Sequence, residues 1–298
     1  MSAFTQIDLS TLPAPDVIEE LNFETIFAAM LADLQARDPA FSALVESDPA
    51  YKILEVAAYR ELVVRQRVND AARAVMLAYA TGTDLDQLGA LFGVERFELD
   101  PGDPEAVPPV APTMESDTEF RRRIQLSLEG FSVAGPEGAY IFHSLSAHPD
   151  VLDVSATSPS AGNVRISVLS RVGNGQPTTA VINAVNAALN DDAIRPLTDL
   201  VTVQAATKVD YAVTAALYTY PGPDSSVVLT AAIAALDEYI ASVRKVGFDI
   251  TLSGIYAALH QPGVQRVSLT SPTANITIND TSYGHCTAKT ITLAGTDE

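Results

Sequence analysis

The chain has 298 residues, 47% of them apolar and 18% charged, which supports a buried core and argues against wholesale disorder. Its 37 acidic and 18 basic residues give a net charge of −19, a balance that repels nucleic-acid backbones and anionic membrane surfaces as main partners. A single cysteine, Cys286, excludes an intrachain disulfide and a cysteine-rich metal site.

The N-terminus MSAFTQIDLS has neither the basic start nor the apolar centre of a signal peptide. No apolar run approaches the roughly 18 residues that a membrane-spanning helix needs, so no membrane insertion is expected. Residues 1–20, with Pro13 and Pro15, read as an extended arm.

Phe23, Ile26, Phe27, Met30, Leu31 and Leu34 then recur at helical spacing, which predicts an amphipathic helix ending near Asp38-Pro39. Asp48-Pro49 opens a second helix, with proline at the first helical position. No breaker follows before Gly82, so this helix is expected to run about 32 residues, about 48 Å at 1.5 Å per residue. Ile53, Val56, Leu62, Val63, Val75 and Met76 give it an apolar side. A helix that long with one short neighbour leaves surface over, which predicts another chain against it.

In TGTDLDQLGALFGVER (81–96), Gly82 is expected to end one helix and Thr83 to cap another, with Asp84 and Asp86 in its first turn. Read as a cap, the Asp84-x-Asp86 pair needs no metal. Five prolines between positions 98 and 113 mark a linker or exposed loop. Ser116-Asp117-Thr118-Glu119 has the capping-box pattern and opens a helix carrying Arg121, Arg122 and Arg123. In so acidic a chain, these three are expected to pair with carboxylates, here or on a partner.

The rest reads as two small sheet-and-helix modules sharing an internal repeat. HPDVLDVSATSP (148–159) and QPGVQRVSLTSP (261–272) align at one constant offset, with Pro, two Val, Ser and the closing Ser-Pro in register. Each copy predicts a helix, a proline stop, a strand and a turn. The repeated positions are Val, Pro and Ser, which points to packing and not to a duplicated active site. Val164–Leu169 pairs with the first repeat strand as a hairpin, a helix follows over 181–189 and ends by Arg195-Pro196, and 200–203 returns as a strand. In the second module, 209–218 is a strand, Pro221-Gly222-Pro223 a turn, Ile233, Leu236, Ile240 and Val243 line a helix, and 289–293 is a closing strand.

The fold class is therefore α+β: an N-terminal helical domain with one long helix (1–97), a Pro-rich linker with the capped helix (98–134), and modules at 135–208 and 209–298. No P-loop, dinucleotide fingerprint, nucleophile elbow or HExxH motif occurs. His143, His148, His260 and His285 lack metal-ligand spacing, and His148 and His260 fall where helices should end. His285-Cys286, in a Gly-containing loop, is the remaining candidate for reactivity, without a third group. No catalytic, cofactor or metal residue is assigned. The assembly candidates are Ile53, Val56, Leu62, Val63, Val75, Met76, Arg121, Arg122 and Arg123.

TGTDLDQLGALFGVER, ESDTEFRRRI, RPLTDLVTV and KVGFDITLSGIYAALHQPGVQRVSLTSP, in that order and spacing, resemble the baseplate assembly protein J family of contractile-tailed phages. The resemblance covers residues 20–275 and implies a non-enzymatic wedge subunit, located in the virion baseplate and assembled in the host cytoplasm. It implies as partners other copies of the chain, neighbouring wedge proteins and the central hub or spike, and a part in triggering contraction. A tailocin or contractile injection system would use a similar subunit. A tail-associated glycan hydrolase, for which carboxylates abound, and a receptor-binding module stand as alternatives of another class.

Overall fold

A computed structural model describes residues 7–13, 15–222 and 224–297. The expected N-terminal arm therefore falls partly outside the described residues (1–6 and 14), as does Pro223 of the expected turn. The chain forms two compact units. One comprises 7–96 with 116–121, and the other 97–115 with 122–297 of the described residues.

The helical unit begins with α1 (Phe23–Arg37), capped by the Asn22 carboxamide, which accepts the Thr25 amide proton at 3.1 Å. The stripe read from the sequence forms its core: Ile26 and Phe27 are buried with Ala58, and Phe23, Met30, Leu31, Tyr51, Leu54 and Leu62 pack around them. Helix α2 (Pro49–Ala74) has 26 residues and stops short of the expected Gly82. The reason lies far along the chain. Unwinding frees carbonyls in 75–80, and Arg121 donates to two of them, Leu77 at 2.7 Å and Ala80 at 2.6 Å.

Helix α3 (Gly82–Leu91) thus starts at Gly82, with Thr81 as its cap position in place of the expected Thr83. Arg96 gathers this region. Its guanidinium meets Asp86 at 2.7 Å and Asp117 at 2.7 Å and lies over the Phe120 ring. Gly89 is required here, because a Cβ would stand 2.4 Å from Phe120 Cζ.

In the other unit, strands β1 (Glu98–Asp100) and β2 (Thr113–Met114) pair antiparallel, with a further bridge between Asp103 and Val110. The Pro-rich stretch is a hairpin-like excursion. Helix α4 (Asp117–Gly130), whose first turns to Arg121 belong to the helical unit, opens at the expected capping box, the Ser116 hydroxyl accepting the Glu119 amide at 3.3 Å and donating to its carboxylate at 3.0 Å.

The first sheet is ordered β3-β4-β5, from Val151–Ser160, Asn163–Ser170 and Leu200–Ala205. β3 and β4 form the expected hairpin around Gly162 (φ +76), and β5 lies parallel to β4. Helices α5 (Glu137–Ser146) and α6 (Thr179–Leu189) bring Tyr140, Ile141, Leu145, Val181, Val185 and Leu189 onto it. Helix α6 ends at Leu189, earlier than Arg195-Pro196.

The second sheet is ordered β7-β6-β8, from Val264–Ser271, Thr207–Thr219 and Ser282–Thr296, beneath α7 (Ser225–Val243) and α8 (Leu252–Leu259). Again a central strand has one antiparallel neighbour, β7, and one parallel neighbour, β8. The chain order differs. In the first sheet α5 and β3 precede the central strand and α6, whereas in the second the matching α8 and β7 follow the central β6 and α7. The sequence repeat is the helix-strand pair that has changed place.

Helix α7 corrects the expectation that no stretch is long and apolar enough to span a membrane: an 18-residue window has a mean hydropathy of 1.5. Its Val228, Ala232 and Leu236 pack into the core of its own chain, however, and consecutive Asp237 and Glu238 interrupt its apolar run, Asp237 pairing with Lys289 of β8.

The two sheets meet at Tyr283, which is fully buried beside Leu169, Ala206 and Val246. The Asp153 carboxylate, also buried, accepts the Val246 amide at 2.9 Å and pairs with Arg122 at 2.7 Å.

Candidate assembly surface

The sequence candidates on α2 divide by helical geometry. At 100° per residue, the side facing α1 carries Tyr51, Leu54, Ala58 and Leu62, so Leu62 belongs to the unit's own core. Farther along the same side, the Asn69 side chain exchanges hydrogen bonds with the backbone of Glu19 at 2.8 and 3.0 Å, and Arg65 meets the Glu19 carboxylate at 3.2 Å. Helix α1 and the preceding chain thus share one side of α2.

The opposite side is bare. Ile53 is 70% exposed, Val56 62%, Val63 41% and Val64 63%, with Tyr59 and Val68 alongside. Val75 is also exposed but lies past the helix end, and Met76 is half-buried in the turn that follows. Tyr59, Val64 and Val68 were missed by the sequence reading. Counting positions three and four apart from Ile53 and Val56 would have found them.

Each arginine of the trio is engaged within the chain. Arg121 holds the two carbonyls already described and forms no ion pair with a carboxylate among the described residues, although its charge helps to lower the Asp117 pKa. Arg122 meets Asp153. Arg123 and Glu115 form a buried pair, Nε to Oε1 at 2.8 Å and Nη2 to Oε2 at 2.5 Å, while the guanidinium lies 3.9 Å from the Phe97 ring centroid. Arg123 is therefore an interior folding residue in this chain, not part of the exposed surface.

Among the described residues, no group of three or more His, Cys, Asp or Glu could hold a metal ion. His285 and Cys286 sit within β8, not in the expected loop. Burial lowers the His285 pKa and raises that of Cys286, whose thiol donates to the Ala288 carbonyl at 3.4 Å. A burial-raised thiol is a poor nucleophile. His260 occupies the C-cap of α8, and His148 follows α5, accepting the Asp150 amide at 3.1 Å. Asp84 lies in the first turn of α3, and Asp86 is paired with Arg96.

Residues 46–103 match the Baseplate J-like N-terminal domain, 132–205 the Baseplate J-like central domain, and 211–293 the Baseplate J-like protein C-terminal domain. Baseplate protein J of Escherichia phage P2 is 49% identical over 299 residues, which covers 98% of this chain and 99% of that one. The chain belongs to the baseplate J-like family. Among solved structures, a chain of the sixfold-symmetrised cryo-EM structure of the anti-feeding prophage baseplate superposes with a TM-score of 0.42 at 16% identity, over 61% of this chain and 43% of that one.

Proposed function

We propose that this chain is a structural subunit of a contractile-tail baseplate, one of the wedge components that surround the central hub or spike. It works by contact and not by bond chemistry. The observation that carries this reading is the outer side of α2, where Ile53, Val56, Val63 and Val64 are exposed along one continuous helix face. Exposed apolar surface organised this way favours a permanent neighbour. Membership of the baseplate J-like family, and the near-complete match to a phage P2 protein bearing that name, support the same reading.

In this reading the subunit assembles in the host cytoplasm, ends in the virion baseplate, and belongs to a ring that includes further copies of itself. Contraction follows when packed contacts between neighbours exchange one arrangement for another. The test is co-expression of the chain with its neighbouring tail proteins. A stable complex burying about 2,000 Å² or more is expected. A chain that stays alone under those conditions, or that degrades cell-wall glycan in a direct assay, would overturn it.

A further inference from the structure

The outer side of α2 carries two positive charges that form no ion pair among the described residues. Arg60 and Arg67 are exposed on the helix and lie seven residues apart, about 10.5 Å along one face. They share that face with Ile53, Val56, Val63 and Val64. No carboxylate among the described residues forms an ion pair with either, although the chain carries a net charge of −19.

The flanking carboxylates of α2 are already engaged. Glu55 meets Lys52 at 2.9 Å, Glu61 meets Arg65 at 2.6 Å, and Asp70 accepts from Gln66 at 2.7 Å and lies 3.8 Å from Arg73. A shallow groove lined by Phe23, Glu55, Val56, Tyr59 and Arg60 runs along one flank. The surface is thus an apolar stripe interrupted by guanidiniums at heptad spacing.

We propose that the occupant of this face is an amphipathic helix from a different subunit, with carboxylates seven residues apart flanked by apolar side chains. A second copy presenting the same face would bring four guanidiniums together with no carboxylate free to answer them, which disfavours the symmetric pairing. Arg60 and Arg67 act as specificity residues. The apolar side chains supply contact area, and the charges select which helix docks and in which register. The proposal rests on the assembly reading above and names the chemistry of one neighbour in it.

The test uses the full chain and two synthetic 28-residue amphipathic helices. They are identical except for Glu or Lys at two positions seven residues apart on the apolar side. Fluorescence anisotropy is expected to show the Glu helix binding about tenfold or more tighter than the Lys helix. The preference should reverse in the Arg60→Glu/Arg67→Glu double variant and survive in Arg60→Lys/Arg67→Lys. Equal binding of the two helices, binding of neither, or a concentration-dependent homodimer that the double glutamate variant leaves intact, would overturn the proposal. The two readings separate in the co-expressed complex. A complex that forms but is indifferent to Arg60→Glu/Arg67→Glu sinks this proposal alone, whereas no complex at all sinks the assembly reading.

Discussion

The hydroxyl of Tyr283 donates to the carbonyl oxygen of Asn174, 2.8 Å away and 109 residues earlier in the chain, while accepting from the Gln176 side chain at 3.0 Å. The ring itself is wholly buried where the two sheets meet. This one side chain therefore supplies both packing and polar closure to the joint between the modules. Tyr283→Phe keeps the packing but removes a buried hydrogen-bond pair, and is expected to cost about 1–2 kcal/mol. Tyr283→Ala adds a cavity and is expected to cost about 3–5 kcal/mol. Urea denaturation of both variants checks the ratio, and equal losses would mean that the hydroxyl, not the ring, carries the joint.

Glu115 and Arg123 make a second sensitive point. Removing one partner strands a buried charge, so Glu115→Ala is expected to destabilise by about 3–5 kcal/mol. Replacing both partners with apolar groups removes the problem of the lone charge. The Glu115→Leu/Arg123→Met double variant is therefore expected to lose much less, about 1–2 kcal/mol, chiefly for the Phe97 amide that Glu115 now accepts at 3.2 Å. Thermal unfolding of the wild type, Glu115→Leu, Arg123→Met and the double variant measures the coupling. Additive losses would show that the pair acts as two separate residues.

The contrast between α2 and the repeat shows which parts of the fold were legible. The helix-Pro-strand repeat needed only local signals: Pro149 and Pro262 follow their helices, and the Val positions enter β3 and β7 as read. The end of α2 was not local. Nothing between Ala74 and Gly82 forbids helix, and the chain unwinds there because Arg121, on another helix, satisfies the freed carbonyls. Likewise β8 begins at Ser282, not Lys289, because parallel pairing with the long β6 draws Gly284, His285 and Cys286 into the ladder despite their weak strand preference. On the candidate surface, residue types were legible and direction was not. The apolar side of α2 could be counted out, but placing Leu62 inside and Val63 outside required knowing where α1 lies.

Acid should act on the two units in separate windows. In the module unit, burial holds the His143 imidazole below its ordinary pKa of 6.5, opposed by a hydrogen bond to the Gly130 carbonyl. A lowered pKa means the unfolded chain binds the proton more readily, so this stability is complete above pH 6.5 and declines as pH falls through the folded value. In the helical unit, burial would raise the Asp117 pKa, but the Gly82 amide and Arg96 outweigh it and hold the carboxyl below 3.8. Its contribution is complete above that value and is lost only at still lower pH. Hydrogen exchange measured residue by residue from pH 7 to pH 3 should show α5 loosening before α3. His143→Gln should flatten the first phase and leave the second.

Leu62 and Val63 follow one another on α2, 100° apart, and their substitutions should have opposite consequences. Leu62 packs against α1, so Leu62→Asp buries an unpaired charge in the small core around Phe27 and Ala58 and is expected to unfold the helical unit or cost more than about 3 kcal/mol. Val63 faces outward and touches none of that core, so Val63→Asp should change the stability of the isolated chain by less than about 0.5 kcal/mol. In the co-expressed baseplate complex the order reverses in meaning. Val63→Asp is expected to abolish co-purification while the free chain keeps its circular dichroism and melting temperature, because in the proposed assembly docking alone would bury that position. If Val63→Asp enters the complex normally, the outer side of α2 is solvent surface in the assembly as well, and the contact that holds this subunit in place must be sought elsewhere on the chain.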